Sequence, residues 1–436
     1  MPTNDRHKRT ARLALPAAGA ALALGLSGCG AGGTTADSDD GALTVLVEGG
    51  GKAELTPVAE AFEAETGTSV TFVELPYDSL YERLNTELSG SNVSFDVAAL
   101  DAIWLSAFGP GMVPLDDMFT DSVQEDLFPS LVEEAQVDGH FVGMPAWTNA
   151  EILYYRTDLF TDPGQKAAFQ EQHGRELAPP TTWDEYQELA EFFTQDTDGD
   201  GATDLYGTDV KGAVETEWLS LVLQAGSDSM VLDADGNVIV NDAAHKAALD
   251  AYVAPIEAGV APAGATQMDW ATAQNLFNQG QLAMTRFWAH AYTQVPEDSP
   301  ASGNVGVTTM PAGPGGAAAV PGAWYLSVPQ ATANQDKAQE FIQFVFDHNE
   351  LGLDTDLGLA ATVPALQAGE AEGRENLGAL IAALDAPGTA PRPATDKWQE
   401  IVDSVLIPML QEATTGGADT QALLDRAAEQ IEAIVG

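Results

Sequence analysis

Three short apolar runs, separated by two stretches of helical periodicity, occupy residues 43–101. Leu43–Val47 reads LTVLV, with no polar alternation, which suits a strand buried on both faces of a parallel sheet. Gly49-Gly50-Gly51 follows. A helix is then predicted with Pro57 near its first turn, Leu55, Val58 and Phe62 on one face, and Gly67 as its stop. A second strand spans Val70–Leu75. A helical stretch around Leu80, Leu84 and Leu88 leads to a third strand, Asp96–Leu100. This order implies an open parallel sheet with helices on both faces. Ligands of such sheets sit at the carboxyl ends of the strands. Those ends are Glu48-Gly49-Gly50, Pro76-Tyr77 and Asp101–Trp104.

Farther along, Thr181–Ala289 reads as mostly helical, with Thr182 and Glu185 forming a capping box. A Gly280 turn precedes a short strand ending near Trp288. Pro311–Gly322 reads as a linker. The last helix carries Leu424, Ala427, Ala428, Ile431, Ile434 and Val435 on one stripe.

The chain begins with Arg6, Lys8, Arg9 and Arg12 against the single acid Asp5, then turns Ala/Leu-rich from Leu13 to Leu26. That stretch is shorter than the roughly 20 residues of a membrane span, and the pattern is a secretory signal over residues 1–28. Its end, Leu26-Ser27-Gly28-Cys29, resembles a bacterial lipobox, in which Cys29 becomes the first mature residue and takes a lipid. An ordinary signal peptide with a chance cysteine is the alternative. Residues 29–41 have the composition of a flexible tether. The expected location is therefore the extracytoplasmic face of the cell membrane, held by the lipid alone. Cys29 is the only cysteine, so there is no disulfide framework and no cysteine-based zinc site. The formal charge of -49 repels a polyanion and excludes nucleic acid as a partner. With 45% hydrophobic residues, the chain still has enough apolar material for real cores.

Five further segments follow one another. They are Phe95–Asp101, with Trp104 after it and Val113–Asp117 later; Gly143–Asn149 followed by Leu153–Phe160; Pro180–Glu185; Phe277–Met284 with Trp288; and Met310-Pro311 followed by Pro321–Trp324. In this order they resemble the family 1 extracellular solute-binding proteins of ABC importers, carbohydrate binders with a maltose-binding-protein-like fold. The resemblance covers nearly the whole mature chain. It implies an α/β fold of the type II periplasmic-binding-protein kind: two lobes, an interlobe ligand cleft and hinge crossings. Lobe one would be 42–146 plus 322–361, and lobe two 150–315 plus 367–436. The crossings would lie near Ala146–Ile152, Pro314–Gly322 and Thr362–Leu366. The implied function is capture of a carbohydrate, expected to be an oligosaccharide, and its delivery to the transmembrane subunits of an ABC permease. No turnover, no required cofactor and a monomeric state go with it.

A neutral sugar presents hydroxyls and apolar C–H faces, which planar aromatics and side-chain carboxylates, amides and guanidinium groups can meet. Asp101 either contacts ligand or caps the turn that follows; Trp104 either faces the cleft or packs. Trp147 and Asn149 lie on one crossing, where Asn149 occupies a family position often held by Asp. Gly322 and Trp324 lie on another, and Gly322 either permits close backbone approach or marks a plain turn. Trp288, Glu48 and Tyr77, all near strand ends, complete the candidate ligand contacts. Trp183 and Trp398 read as packing, Trp218 and Trp270 as core. Arg286 and Arg392 read as members of internal ion pairs rather than as forks for a sugar diol.

Residues 196–204 place acids at loop positions one, three, five and nine and Gly at six, the opening of a calcium loop. Asp196, Asp198, Asp200 and Asp204 are the candidate ligands. Position twelve is Gly207, with Asp209 two residues beyond as a substitute; a solvated acidic turn is the other reading. Gly49-Gly50-Gly51-Lys52 lacks phosphate-loop spacing. Tyr154 and Tyr155 alternate on a strand, which argues against paired phenolates on iron. The runner-up function keeps the fold and takes a polyamine or other cationic solute. A glycosidase would need two carboxylates about 5–10 Å apart, and 66 acids supply such a pair somewhere whatever the function.

Overall fold

The computed structural model describes residues 42–90 and 92–436. The signal segment, Cys29 and the tether lie outside them.

The apolar runs form β1 (Leu43–Glu48), β2 (Val70–Leu75) and β3 (Val97–Asp101), linked by α1 (Gly51–Thr66) and α2 (Tyr77–Leu88). α1 buries Leu55, Val58 and Phe62 and stops at Gly67, whose φ of 75° is the left-handed cap that glycine adopts without strain. β1 lies between β2 and β3, parallel to both, with Val45, Leu46 and Val47 fully buried. The sheet does not stay parallel. Beyond β3 come strand Trp324–Ser327 and then strand Met144–Trp147, and Trp324–Ser327 runs antiparallel to both of its neighbours. The expected parallel sheet is therefore mixed. The inserted strand enters from a crossing at the carboxyl ends of β1 and β3, so it must run against them.

A second, antiparallel sheet sets strand Glu151–Arg156 between Met284–Trp288 and Val305–Thr308. Tyr154 turns its hydroxyl inward, within hydrogen-bonding reach of the Trp288 (2.8 Å) and Ala289 (2.9 Å) carbonyls. Tyr155 points the other way and packs on Gly306. Helices Thr216–Gln224, Ala243–Glu257 and Thr420–Val435 share a core that buries Trp218 and Trp398. The last helix buries Leu424, Ala427, Ala428 and Ile431, while Ile434 and Val435 are half-buried at its end. At helix Trp183–Phe193, the Thr182 hydroxyl accepts the Glu185 N–H (3.3 Å). Glu185 reaches back to Thr181 rather than Thr182, because Thr181 offers both its N–H (2.8 Å) and its hydroxyl (2.7 Å).

The chain leaves the first of these sheets for the second at 148–150 and returns at 309–323, and a third stretch, 355–362, bonds beside the first passage. Thr148 N–H donates to the Ala360 carbonyl (3.1 Å) and Gly322 N–H to that of Asn149 (2.8 Å). Asn349 ties the strand before the first passage to the third stretch: its Nδ2 donates to the Ala146 carbonyl (2.7 Å) and its Oδ1 accepts the N–H groups of Ala361 and Thr362. Residues 363–366 are already the first turn of helix Val363–Ala371. No described helix is long and apolar enough to cross a membrane.

Candidate functional site

Strand register brings the carboxyl-end residues into one row. Trp324 stands opposite Asp101 on one side and Trp147 on the other. The two indoles stack, with centroids 5.8 Å apart and planes at 16°. Trp324 also meets Trp104 (5.7 Å) and Tyr77 (6.2 Å) edge-on, and Tyr77 tilts over Trp104 at 4.5 Å. Trp324 and Tyr77 remain half-buried, whereas Trp104 is 1% exposed and Trp147 4%. Of the two readings of Trp104, the structure gives packing: its indole supports the rings in front of it. Trp147 is pinned in turn by the start of α1, where a Cβ on Gly51 would stand 3.3 Å from the indole.

Asp101 caps the following turn and also anchors a polar cluster. One carboxylate oxygen accepts the Ile103 N–H (3.3 Å) and faces an Arg392 Nη2 at 3.3 Å, while the other accepts the Tyr77 hydroxyl (3.0 Å). The Arg392 side chain is 7% exposed. It also donates to the Pro321 carbonyl (3.3 Å), and its Nε has no partner. Burial works against its charge, but Asp101, Glu134 and Glu215 around it hold the guanidinium protonated more firmly than usual. Glu48, at the end of β1, is pushed up to about 7 by burial and then by the nearby Asp101 and Glu74 carboxylates. Burial pushes Glu134 up to about 8 and raises Glu215. Near neutral pH the end of β1 therefore offers, at Glu48, a carboxyl that is partly protonated beside the ionised Arg392–Asp101 pair.

From the second sheet, Trp288 is half-buried and lies across Gly322; a Cβ there would stand 2.6 Å from Trp288 Cζ3. Gly322 thus lets the protein's own Trp288 ring lie against the backbone, where a side chain would collide. Trp288 leans on Trp270 (5.6 Å, 52°). Trp270 is half-buried beside this wall rather than in the core, because it opens its helix instead of sitting mid-face. Behind Trp270 lies Lys211 Nζ, 5.2 Å from the ring centroid and held by Asp209 (2.7 Å) and Glu217 (3.0 Å). Arg286 pairs with Glu217 at 2.5 Å.

Asn149 is 7% exposed, and its amide is used inside the protein. Its Oδ1 accepts the N–H groups of Ala150 (3.1 Å) and Ala289 (3.0 Å). Its Nδ2 donates to His290 Nδ1 (2.8 Å), an imidazole that burial keeps neutral by lowering it to about 4. The residue fastens a crossing to the second sheet. An Asp here would lack the N–H that His290 receives.

In the acidic loop, carboxylate oxygens of Asp196, Asp198 and Asp204 lie within 4.8 Å of one another, all on exposed residues. Asp200 is not part of this group; it accepts the Ala202 N–H (2.8 Å). Asp209 is no substitute ligand, since Lys211 holds it in the interior.

The profile of the bacterial extracellular solute-binding proteins matches residues 48–349. This chain belongs to that family. A probable ABC transporter-binding protein of Deinococcus radiodurans is 30% identical over 303 residues, 66% of this chain and 67% of that protein. A mannitol-binding protein of Pseudomonas aeruginosa is 24% identical over 227 residues, 51% of this chain and 48% of that protein. Among solved structures, maltose-bound T. maritima MalE3 aligns with a TM-score of 0.72 at 25% identity, covering 90% of this chain and 99% of that one. The fold is that of the MalE-like type II binding proteins. Within this solute-binding protein, Arg392 lies beyond the matched residues, on a segment with prolines at 391 and 393. Only its rarity as a base in an acidic chain marked it in the sequence. Trp270 carried no signal that separated it from a core aromatic.

Proposed function

We propose that this protein is the extracytoplasmic binding component of an ABC importer and that its solute is a carbohydrate or polyol, expected to be an oligosaccharide. The observation that carries the reading is the half-buried Trp324, stacked on Trp147 and set beside Asp101 and Arg392 at the carboxyl ends of the sheet. It pairs a flat apolar face with donors and acceptors for hydroxyls. Lobe one is 42–146 plus 322–361, lobe two is 150–315 plus 367–436, and the two passages with the stretch bonded beside them act as the hinge. Trp288 and Trp270 supply the wall from lobe two. The solute is bound and handed to the permease without turnover, by a monomer anchored through a lipid on Cys29.

The charge arrangement favours a neutral solute over a polyamine. Arg392 already stands against Asp101, and the raised Glu48, Glu134 and Glu215 resist ionisation. The test is a melting screen over sugars, polyols and polyamines. A ligand at 100 times its Kd stabilises by about 2.7 kcal/mol. Stabilisation by a sugar or polyol is expected; a shift with polyamines alone, or with nothing, overturns the reading.

A further inference from the structure

We propose that Lys211 is a positioning residue for the solute: from inside lobe two it fixes the pair of indoles, Trp270 and Trp288, that the solute meets. This rests on the reading of those two rings as the lobe-two wall. Lys211 is 0% exposed, and its carboxylate partners Asp209 and Glu217 are 1% and 0% exposed. An ammonium group has three N–H donors. Here each has an acceptor inside the protein: Asp209 (2.7 Å), Glu217 (3.0 Å) and the Arg286 carbonyl (2.7 Å). Those three contacts fix where Nζ stands, 5.2 Å from the centre of the Trp270 ring and 6.0 Å from that of Phe287.

The same residue is tied to both halves of the wall. Arg286 precedes Trp288 by two residues on one strand, so the bond to its carbonyl joins Lys211 to the strand that carries Trp288. On the other side, Gly212 N–H donates to the Ala265 carbonyl (2.8 Å) and Ala213 N–H to that of Met268 (3.1 Å), which holds the turn leading into Trp270. Phe287 meets Trp270 edge-on (4.9 Å, 76°). Apolar contact is non-directional and leaves a ring free to slide. A cation facing the ring is attracted to its negative face, which selects one orientation.

Energetics separate this role from plain stabilisation. Arg286 pairs with Glu217, while burial and then the Glu217 carboxylate push Glu151 up to about 8, so at neutral pH two cations face two carboxylates. A buried network of this kind returns in attraction about what it loses in desolvation, and apolar side chains of similar volume often hold a fold as well. What apolar side chains do not supply is the fixed cation under Trp270, and with it the 5.6 Å, 52° setting of Trp270 against Trp288.

The test uses the full chain carrying Lys211→Met and Asp209→Asn together, which removes one charge of each sign and leaves the Arg286–Glu217 pair in place. A second variant, Lys211→Gln with Asp209→Asn, keeps an amide donor in the network and also lacks the cation. In crystal structures of the unliganded variants, Trp270 is expected to leave its setting against Trp288 or to occupy more than one orientation. A wall that has to be ordered during binding costs affinity, so the sugar or polyol selected by the melting screen is expected to bind roughly tenfold more weakly by calorimetry. The melting temperature is expected to change by only a few degrees. Trp270 unmoved in both variants, an affinity equal to that of the parent, or unfolding of both variants each overturns the proposal. If the screen selects no solute, the cleft reading fails on its own, and the crystal structures still decide whether Lys211 sets the rings.

Discussion

Replacing Arg392 by Met removes the fixed cation of the candidate site while keeping much of its apolar stem. The guanidinium and Asp101 are 3.3 Å apart, with side-chain exposures of 7% and 14%. At that distance their attraction is about 5 kcal/mol for an effective dielectric of about 20. Desolvation offsets much of it, so the pair as a whole adds little to stability. Deleting one partner is different: Asp101 is left without its cation, next to Glu134 and Glu215, at a typical cost of about 3–5 kcal/mol. The loss depends on pH. Arg392 holds Glu134 and Glu215 down, so without it the folded chain keeps their protons more tightly and the variant loses more stability than the parent as pH rises. Urea unfolding followed by tryptophan fluorescence at pH 7.5 and pH 5.0 measures both effects. The expected result is a large loss at pH 7.5, a smaller one at pH 5.0, and partial recovery in Arg392→Lys. A loss below about 1 kcal/mol at pH 7.5, the size of an exposed pair, or an equal loss at both pH values, refutes the reasoning.

Gly322→Ala places a Cβ 2.6 Å from Trp288 Cζ3; overpacking of this kind costs about 1–3 kcal/mol, so the melting temperature falls, and an unchanged melt contradicts the close approach. Burial raises Glu48 to about 7 and Glu54, Glu134 and Glu151 to about 8 in the fold, against 4.5 ordinarily. The unfolded chain then releases protons that the folded chain keeps, so stability falls as pH rises from about 4.5 through 8. Melting is expected to be higher at pH 5.5 than at pH 8.0, and the reverse order would be evidence against these buried acids. For the loop of Asp196, Asp198 and Asp204, calcium added to chelator-treated protein gives heat and a higher melting temperature if the three carboxylates take the ion; neither change assigns the loop to a self-bonded acidic turn.

Local physics made much of the fold legible. The run LTVLV, the cap at Gly67 and the stripe of the last helix are each set within one stretch of chain, and each forms as its own residues dictate. The candidate site depends on pairings that no local pattern encodes. Trp324 meets Asp101 and Trp147 only because a late strand inserts antiparallel between β3 and Met144–Trp147. Asn149 offers a hydrogen-bonding amide in the sequence, but the end of strand Met284–Trp288 uses it before any ligand can. Arg392 sits between prolines, outside any periodic element, so only the folded chain shows what it faces. At Glu185 the capping carboxylate forms as its position dictates, and its partner is Thr181, one residue before the cap.

The most direct test of the central claim is a crystal structure of the full chain with the sugar or polyol that stabilises it most in the melting screen. Density for the solute is expected against the Trp324 ring, with hydroxyls in reach of Asp101 and Arg392. Solute bound away from that row, with Trp324 and Arg392 untouched, would contradict it.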